Sequence, residues 1–583
     1  MTPDTSKKLR TAIAEHQVGQ VNHAADIYRE ILDLDPHHAD ASHLLGLTEF
    51  QQGRHEAAVA LIETAIGLNG GVVLYHANLG RAYMAAGNAG AAAAAYENAL
   101  VLDRYNAEIH SDLAAARVAG GEFEAAVEAG RRAVGLDPNM AQAHFNLGLA
   151  EAGCGSMVSA TGHFETAIRL APNFPDCHFE LAKRRQETGS LDAAIDHYRA
   201  AIAGNPEMLE AHCNLGNVLR QVFRLDEAAA SYRCALGIDP GVAEIYANLG
   251  VTLQEMGLLD AAMAAYDRAV EIAPDDPEAR RNRAMALLQL GRFEDGWRDF
   301  EWRWRTRHFS AIRRDWEKPQ WQGEPLSGAT IVVHSEQGFG DCIQFARYLP
   351  MVAAAGGRVV VECPEALAGL IGDLAEVVCV GAQLPAHDFQ VPMMSLPGIF
   401  KTDFQTMPSD APYLAVPAAA IEKWREKMAL VDGFKVGIAW SGSANHQRNV
   451  WRSPGLKALL PLVGLEGIRF YSLQVDSGRD DLIAEGVDGK VVDLAPALSD
   501  FSETAAAMMT LDLIIAPDTA VAHLAGALAR PVWLMLPFAS EWRWFTERTD
   551  SPWYPTMRLF RQSSRGDWSA PVEAMIEAIG ESK

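Results

Sequence analysis

Cysteine is scarce in this chain. The seven present (Cys154, Cys177, Cys213, Cys234, Cys342, Cys363, Cys379) are odd in number and form no Cys-x-x-Cys pair, so the sequence suggests neither a zinc site nor a disulfide framework. A reducing compartment fits that usage. No secretion signal is expected, because residues 1–10 are polar, and no later apolar run reaches membrane-spanning length without a charge, Pro or Gly. The expectation is a soluble, cytoplasmic protein with no membrane span. Positive charge is in deficit, with 50 Lys+Arg against 75 Asp+Glu and a formal charge of −25. That argues against a sequence-independent nucleic-acid binder, whose phosphate contacts need a basic surface. An acidic substrate would need a local basic pocket. At 583 residues and 49% hydrophobic content, the chain is too long for one domain and has ample apolar surface for large cores.

What is present is a period of 34 residues, held to about residue 300. One column reads Ala24, Ala58, Ala92, Ala126, Ala160, Ala194, Ala228, Ala262 and Gly296. A second reads Leu45, Leu79, Leu113, Leu147, Leu181, Leu215 and Leu249. A turn column runs Gly19, Gly53, Gly87, Gly121, Gly155, Gly189, Phe223, Gly257 and Gly291, and a closing column holds Pro36, Pro138, Pro172, Pro206, Pro240 and Pro274. Small residues let paired helices approach and Gly ends the first helix of each pair; Pro is expected to open the next pair behind Asp35, Asp137 or Asp239 as cap. This is the tetratricopeptide period and pattern. Nine helix pairs fit between residues 3 and 308, so residues 1–308 are expected to form an α-solenoid, the tetratricopeptide superhelix.

The texture changes after Trp297. Trp297, Phe300 and Trp304 fall at helical spacing, which predicts a last repeat helix laying an aromatic stripe on the next domain; nucleic-acid contact by Arg303, Arg305 and Arg307 is the alternative. Residues 309–328 read as a linker. Beyond Gly328, apolar runs (331–333, 359–361, 377–379, 436–439, 470–473, 513–515, 532–534) alternate with helical stretches, the pattern of parallel sheets with crossover helices. The stretch from Pro412 to Phe434 divides this region into two α/β lobes, 329–430 and 431–583, with a cleft between them.

In such sheets ligands bind beyond the carboxyl ends of strands, and three post-strand loops stand out. The first runs His334 to Asp341. Gly338 and Gly340 allow close backbone approach, and Asp341 or Glu336 could accept a proton from an attacking hydroxyl; alternatively Asp341 caps the helix. The second runs Ser441 to Ser453, with Ser441, Gly442, Arg448 and Arg452. These two arginines are spaced for bidentate contacts to a diphosphate, or are surface residues paired to acidic neighbours. The third is Asp518-Thr519-Ala520-Val521-Ala522-His523, where amides from Thr519 to Val521 open a helix and would point at a phosphate; Asp518 as cap and His523 as a packing residue are the alternatives. A following set, Glu541-Trp542-Arg543-Trp544-Phe545, could wall a nucleotide or sugar pocket or sit in the core.

Together these loops resemble the glycosyltransferase family of the bacterial ADP-heptose heptosyltransferases. The resemblance rests on Gly340-Asp341, the Arg448 to Arg452 loop and the run Asp518 to Ala525. It implies a GT-B fold of two Rossmann-like lobes, Asp341 as general base, and Arg448, Arg452, Asp518 and Thr519 at the donor diphosphate. It also implies no metal; no Asp-x-Asp follows a strand in residues 329–583, which fits. The chain departs from the family in having Ala520-Val521 where Gly-Pro usually follows, and in lacking the usual Lys of the middle loop. Donor residues are taken as Gly338, Gly340, Ser441, Gly442, Arg448, Arg452, Asp518, Thr519, Ala520, Val521 and His523.

Fusion to tetratricopeptide repeats resembles the bacterial protein glycosyltransferases, flagellin-modifying ones included, and is similar in layout to the animal O-linked N-acetylglucosamine transferase. The residue before each repeated Leu is Asn78, Asp112, Asn146, Glu180, Asn214 and Asn248, with Leu44 the departure, and the same 34-residue column continues to Asn282. A primary amide both donates to and accepts from a peptide unit, so Asn78, Asn146, Asn214, Asn248 and Asn282 are candidates to hold an extended acceptor polypeptide; alternatively they bridge neighbouring inner helices. The implied activity is inverting transfer of a sugar from a nucleotide-sugar co-substrate, with no other cofactor, to a protein hydroxyl. Two other readings stay open: a lipopolysaccharide or glycan acceptor with the repeats serving assembly, and a scaffold that has lost catalysis. Oligomerisation is compatible with each.

Overall fold

The computed structural model describes residues 3–428, 433–443, 449–475 and 478–581. The chain divides into two compact units, Met1–Asp239 and Pro240–Lys583.

The first unit consists of seven helix pairs among the described residues, from Pro3–Gln17 to Leu225–Ile238. The Ala column is fully buried at the pair interfaces and the Leu column is buried beside it, as close helix approach requires. Each first helix ends in a turn whose glycine has φ between 75° and 82°; Phe223 takes the same place at φ 60°. The closing prolines sit elsewhere than expected. Asp35, Asp137 and Asp239 cap the C-termini of the preceding helices, and Pro36, Pro138 and Pro240 follow in the turn, where a residue that cannot continue a helix is favoured. Pro175 does open a helix. A further 34-residue column, His76, His110, His144, His178 and His212, places each Nε2 2.9–3.1 Å from the carbonyl oxygen six residues earlier, tying the inter-repeat turn to the next helix.

The second unit opens with two more helix pairs, Ala243–Glu255 with Leu259–Ile272 and Pro277–Gln289 with Phe293–Phe300. Their turn glycines are crowded: a Cβ on Gly257 would lie 3.1 Å from the Phe538 ring, and one on Gly291 2.7 Å from Phe404. The aromatic stripe packs as expected on the α/β region. Trp297 donates to the Thr402 carbonyl at 2.8 Å and meets Trp542 edge-on at 5.3 Å. Arg303 is fully buried between Glu301 and Glu336, which removes it from any nucleic-acid face.

Two all-parallel sheets follow. The first contains β1 (Thr330–His334), β2 (Arg358–Cys363), β3 (Glu376–Cys379) and β4 (Phe389–Pro392) in the order β3-β2-β1-β4. The second contains β5 (Phe434–Ile438), β6 (Ile468–Ser472), β7 (Val491–Asp493), β8 (Leu513–Pro517), β9 (Val532–Leu536) and β10 (Met557–Arg561) in the order β10-β9-β8-β5-β6-β7. Continuous burial of β1, β2 and β8 explains their unbroken apolar runs. In the first sheet the strand order reverses between β1 and β4, and in the second between β5 and β8. Such switch points open crevices at the carboxyl ends of strands, and the three loops singled out in the sequence start there.

Candidate active site

The loops after β1, β5 and β8 line one cleft of about 670 Å³. From the first sheet comes the helix Phe339–Phe345, with Gly338 at its N-cap position and Asp341 in its first turn. Asp341 is therefore not the cap; its carboxylate, 20% exposed, faces the cleft and accepts from the Arg543 guanidinium. Arg543 follows β9 in the other lobe. It also donates to Gln344 Oε1 at 2.6 Å and to Glu541 Oε2 at 2.8 Å, so one buried fork joins the helix of the first lobe to the loop of the second. Burial works against the Arg543 charge, but Asp341, Glu541 and Asp518 outweigh it and hold its pKa above the ordinary value.

Gly340 serves a close approach between helices. A Cβ there would lie 2.8 Å from His523 Cδ2 and 3.7 Å from Ala520 Cα. His523 is 4% exposed, accepts or donates at Nδ1 with the Tyr554 hydroxyl at 2.9 Å, and has Nε2 3.5 Å from Asp518 Oδ1. Burial pushes the Asp518 carboxyl up, but the hydrogen bond and charge of His523, with Arg543 beyond, hold it below its usual range. The helix Ala520–Ala527 has Thr519 at its N-cap position, which leaves Asp518 free of that duty. Thr519, Ala520 and Val521 line the cleft, and amides of a first helical turn have no intrahelical acceptor.

After β5, Ser441 and Gly442 also line the cleft. The Gly442 amide donates to Asn449 Oδ1 at 3.0 Å and Ser453 Oγ at 3.1 Å, and Gln474 Oε1 accepts from Ser441 N at 3.1 Å. A Cβ on Gly442 would meet Arg452 Nη2 at 2.8 Å and Thr519 Cγ2 at 3.3 Å, so glycine is what lets the Arg452 guanidinium lie beside Thr519. Arg452 Nε is buried with no hydrogen-bond partner among the described residues. Arg448 lies outside the described residues.

Three alternatives left open by the sequence narrow. Glu336 is not in the cleft: its side chain is 2% exposed, bonded to Arg303 at 3.0 Å and to the Met394 amide at 3.0 Å, a buried strut under the loop. Trp542, Trp544 and Phe545 are core, because hydrophobic burial takes them inward, and the aromatic edge of the cleft is Phe339 against Phe501, with ring centroids 5.1 Å apart. In the Asn column, Asn78 and Asn146 are 8% and 3% exposed and committed to the preceding repeat, through His43 Nε2 at 3.0 Å and Ser111 O at 3.0 Å. Asn214, Asn248 and Asn282 are half-buried. The sequence offers Arg543 only as one member of the set from Glu541 to Phe545, with no role of its own, and does not single out Gln344; the signal for Arg543 was its place behind β9, at a strand's carboxyl end.

Two parallel-sheet lobes sharing a cleft at their switch points, behind helix-pair repeats, define a protein with the GT-B architecture joined to a tetratricopeptide array. Residues 413–534 match glycosyltransferase family 9 (heptosyltransferase), and residues 9–71, 77–141, 179–243 and 219–288 match tetratricopeptide repeats. The chain thus carries a family 9 glycosyltransferase domain behind tetratricopeptide repeats; the matched stretch holds Arg452 and Asp518 but neither Asp341 nor Arg543. Protein FlbA of Caulobacter vibrioides is 25% identical over 326 residues, which are 50% of this chain and 52% of FlbA, so the chain spans about half the length of the curated relative it matches. Among solved structures, YrrB, described as a TPR protein with an unusual peptide-binding site, is 25% identical over 32% of this chain and 96% of its own, with a TM-score of 0.30. Cut9 with Hcn1 from the APC/C is 17% identical over 46% of this chain and 52% of its own, with a TM-score of 0.36. Among the described residues no helix is long and apolar enough to cross a membrane.

Proposed function

We propose that the protein transfers a sugar from a nucleotide-sugar donor to a hydroxyl of a polypeptide acceptor engaged by the repeats, with inversion at the anomeric carbon. The observation that carries this reading is the meeting of Asp341 with the Arg452, Thr519 and Gly442 group across one cleft. Asp341 takes the proton of the acceptor hydroxyl as its oxygen attacks the anomeric carbon and the bond to the donor phosphate breaks. The negative charge that grows on the departing diphosphate is met by Arg452 and by the first-turn amides of the Ala520–Ala527 helix. Arg543 positions Asp341 by holding one carboxylate oxygen, which leaves the other for the proton. Phe339 and Phe501 offer the apolar edge for a nucleobase. Flagellin is a candidate acceptor on the strength of the resemblance.

The test is a panel of nucleotide sugars screened by calorimetry, then transfer assayed with the donor that binds. Asp341→Ala is expected to lower kcat by roughly 10²-fold or more, the usual scale for loss of a general base, with donor affinity retained. Transfer at the wild-type rate would remove Asp341 from the mechanism. Failure of every donor to bind would favour a scaffold.

A further inference from the structure

The second unit holds another cavity, of about 710 Å³, which none of the foregoing uses. It opens at the carboxyl ends of β1 and β4, where the strand order of the first sheet reverses, and this is where an α/β sheet presents a ligand crevice. Ser335 and Glu336 line it, and the next residue, Gln337, already lines the active-site cleft, so the two spaces adjoin across the loop that leads to Asp341. Its outer wall is the segment that leaves the last helix pair, from Glu301 to Gln320.

That segment reverses the charge of the molecule. In a chain of net −25, residues 303–318 hold Arg303, Arg305, Arg307, Arg313, Arg314 and Lys318 against Asp315 and Glu317. Two of these cations are already engaged. Glu301 and Glu336 both pair with Arg303, and Arg314 pairs with Glu362 at 2.7 Å. Among the described residues no ion pair engages Arg305, Arg313 or Lys318, all of them exposed, while of the carboxylates lining the cavity Glu301 and Glu336 are already paired with Arg303, which leaves Asp315. The inner side is neutral: burial pulls the His334 pKa down to about 4, and the Trp316 ring lies over it with centroids 4.7 Å apart.

We infer that this cavity holds an acidic stretch of the acceptor polypeptide flanking the modified hydroxyl, with Arg313 and Lys318 reading its carboxylates. The inference rests on the proposed transferase reading and names its substrate class. A polypeptide is favoured because the wall is continuous with a helix-pair array, an architecture suited to holding extended chains. Elsewhere the acidic surface repels an acidic segment, so complementarity at this place also fixes which way the acceptor lies.

The experiment measures fluorescence anisotropy with the full chain and a labelled peptide whose Ser and Thr are flanked by Glu, against the same peptide with Gln. The wild type is expected to bind the Glu peptide at least about tenfold more tightly, an advantage that shrinks with added salt. Arg313→Glu combined with Lys318→Glu removes the preference, while Arg132→Glu, an exposed change in the first unit, leaves it intact. Equal binding of the two peptides, or a preference untouched by the double reversal, overturns the inference. So does displacement of the peptide by a phosphorylated oligosaccharide at lower concentration than by unlabelled Glu peptide, which would make the cavity a glycan site. Because binding is read without transfer, Asp341→Ala retains the preference whether or not Asp341 is the base. The two readings therefore fail separately.

Discussion

Arg543 joins the two lobes at the proposed catalytic carboxylate. Its planar fork reaches Asp341 and Gln344 on one side of the cleft and Glu541 on the other, an arrangement a single ammonium cannot reproduce. Arg543→Lys is expected to keep the charge and lose the geometry, lowering kcat by roughly 10²-fold while donor KM changes little, since misplacing a catalytic group by an ångström has about that effect. Initial rates over a donor series read the split; a rise in KM alone would make Arg543 a donor ligand rather than a positioning residue. The pairing was not legible in the sequence, because Asp341 and Arg543 stand 202 residues apart and an arginine between two tryptophans reads as part of an aromatic core. His43 gives a second prediction at this scale. It is 3% exposed, receives the Asn78 amide at Nε2, lies over Tyr75 at 4.4 Å, and burial, partly offset by Asp40, pulls its pKa from 6.5 to about 4. Above pH 6.5 both the folded and unfolded forms are neutral there and its full contribution is present. As the pH falls toward 4, the unfolded chain takes up a proton that the folded one refuses, and the loss grows to about 2 kcal/mol at pH 5 and about 3 at pH 4. Denaturant melts of wild type and His43→Gln at pH 7 and pH 5 should show the stability gap narrowing by that amount; parallel pH dependences would remove His43 as the cause.

Among elements, the turn between paired helices sets the rhythm of the array, and Phe223 is its one irregular member. At φ 60° a side chain carries a steric penalty of about 1–2 kcal/mol that the glycines at φ 74–82° avoid. Phe223 is half-buried, so part of that penalty is offset by its contacts. Phe223→Gly is expected to raise stability by about 1 kcal/mol, seen as a higher denaturant midpoint at unchanged m-value; a lower midpoint would mean the ring's packing outweighs the backbone strain. The period alone makes this turn readable in the sequence, because a left-handed residue every 34 positions needs glycine. Strands were legible where they are interior. Runs such as Val359-Val360-Val361 and Leu513-Ile514-Ile515 are buried on both faces and so are apolar without interruption. The strands that escaped notice, β4, β7 and β10, all lie at sheet edges, where polar residues such as Gln390, Asp493 and Arg558 interrupt the apolar run. The Pro column misled about helix starts for a similar reason. Proline fits both the first turn of a helix and the turn after a C-cap, and sequence spacing does not separate the two.

For the whole molecule, the repeat suggests a boundary near residue 308, yet the compact units divide after Asp239. The last two helix pairs explain the difference, since they bring Phe293, Trp297 and Phe300, each at most 5% exposed, into one apolar core with Trp542, Trp553 and Leu396. Removing them would return those three side chains' partners to water at about 2–3 kcal/mol each and leave the carbonyls of Thr402 and Ser540 without the donors Trp297 and Gln289. A loss of roughly 6–9 kcal/mol is comparable with the entire stability of an ordinary domain. A chain beginning at Pro240 is therefore expected to unfold cooperatively and to bind the same nucleotide sugar as the full protein. One beginning at residue 309 should be aggregated or molten, with exposed apolar surface that binds a hydrophobic dye. Urea melts of the two, with nucleotide binding by calorimetry, decide the matter. Should the shorter chain melt at the midpoint of the longer one, the last two repeats would be ordinary members of the array. In that case their crowding against Phe404 and Phe538 would carry no structural weight, and the catalytic lobes would fold without help from the repeats.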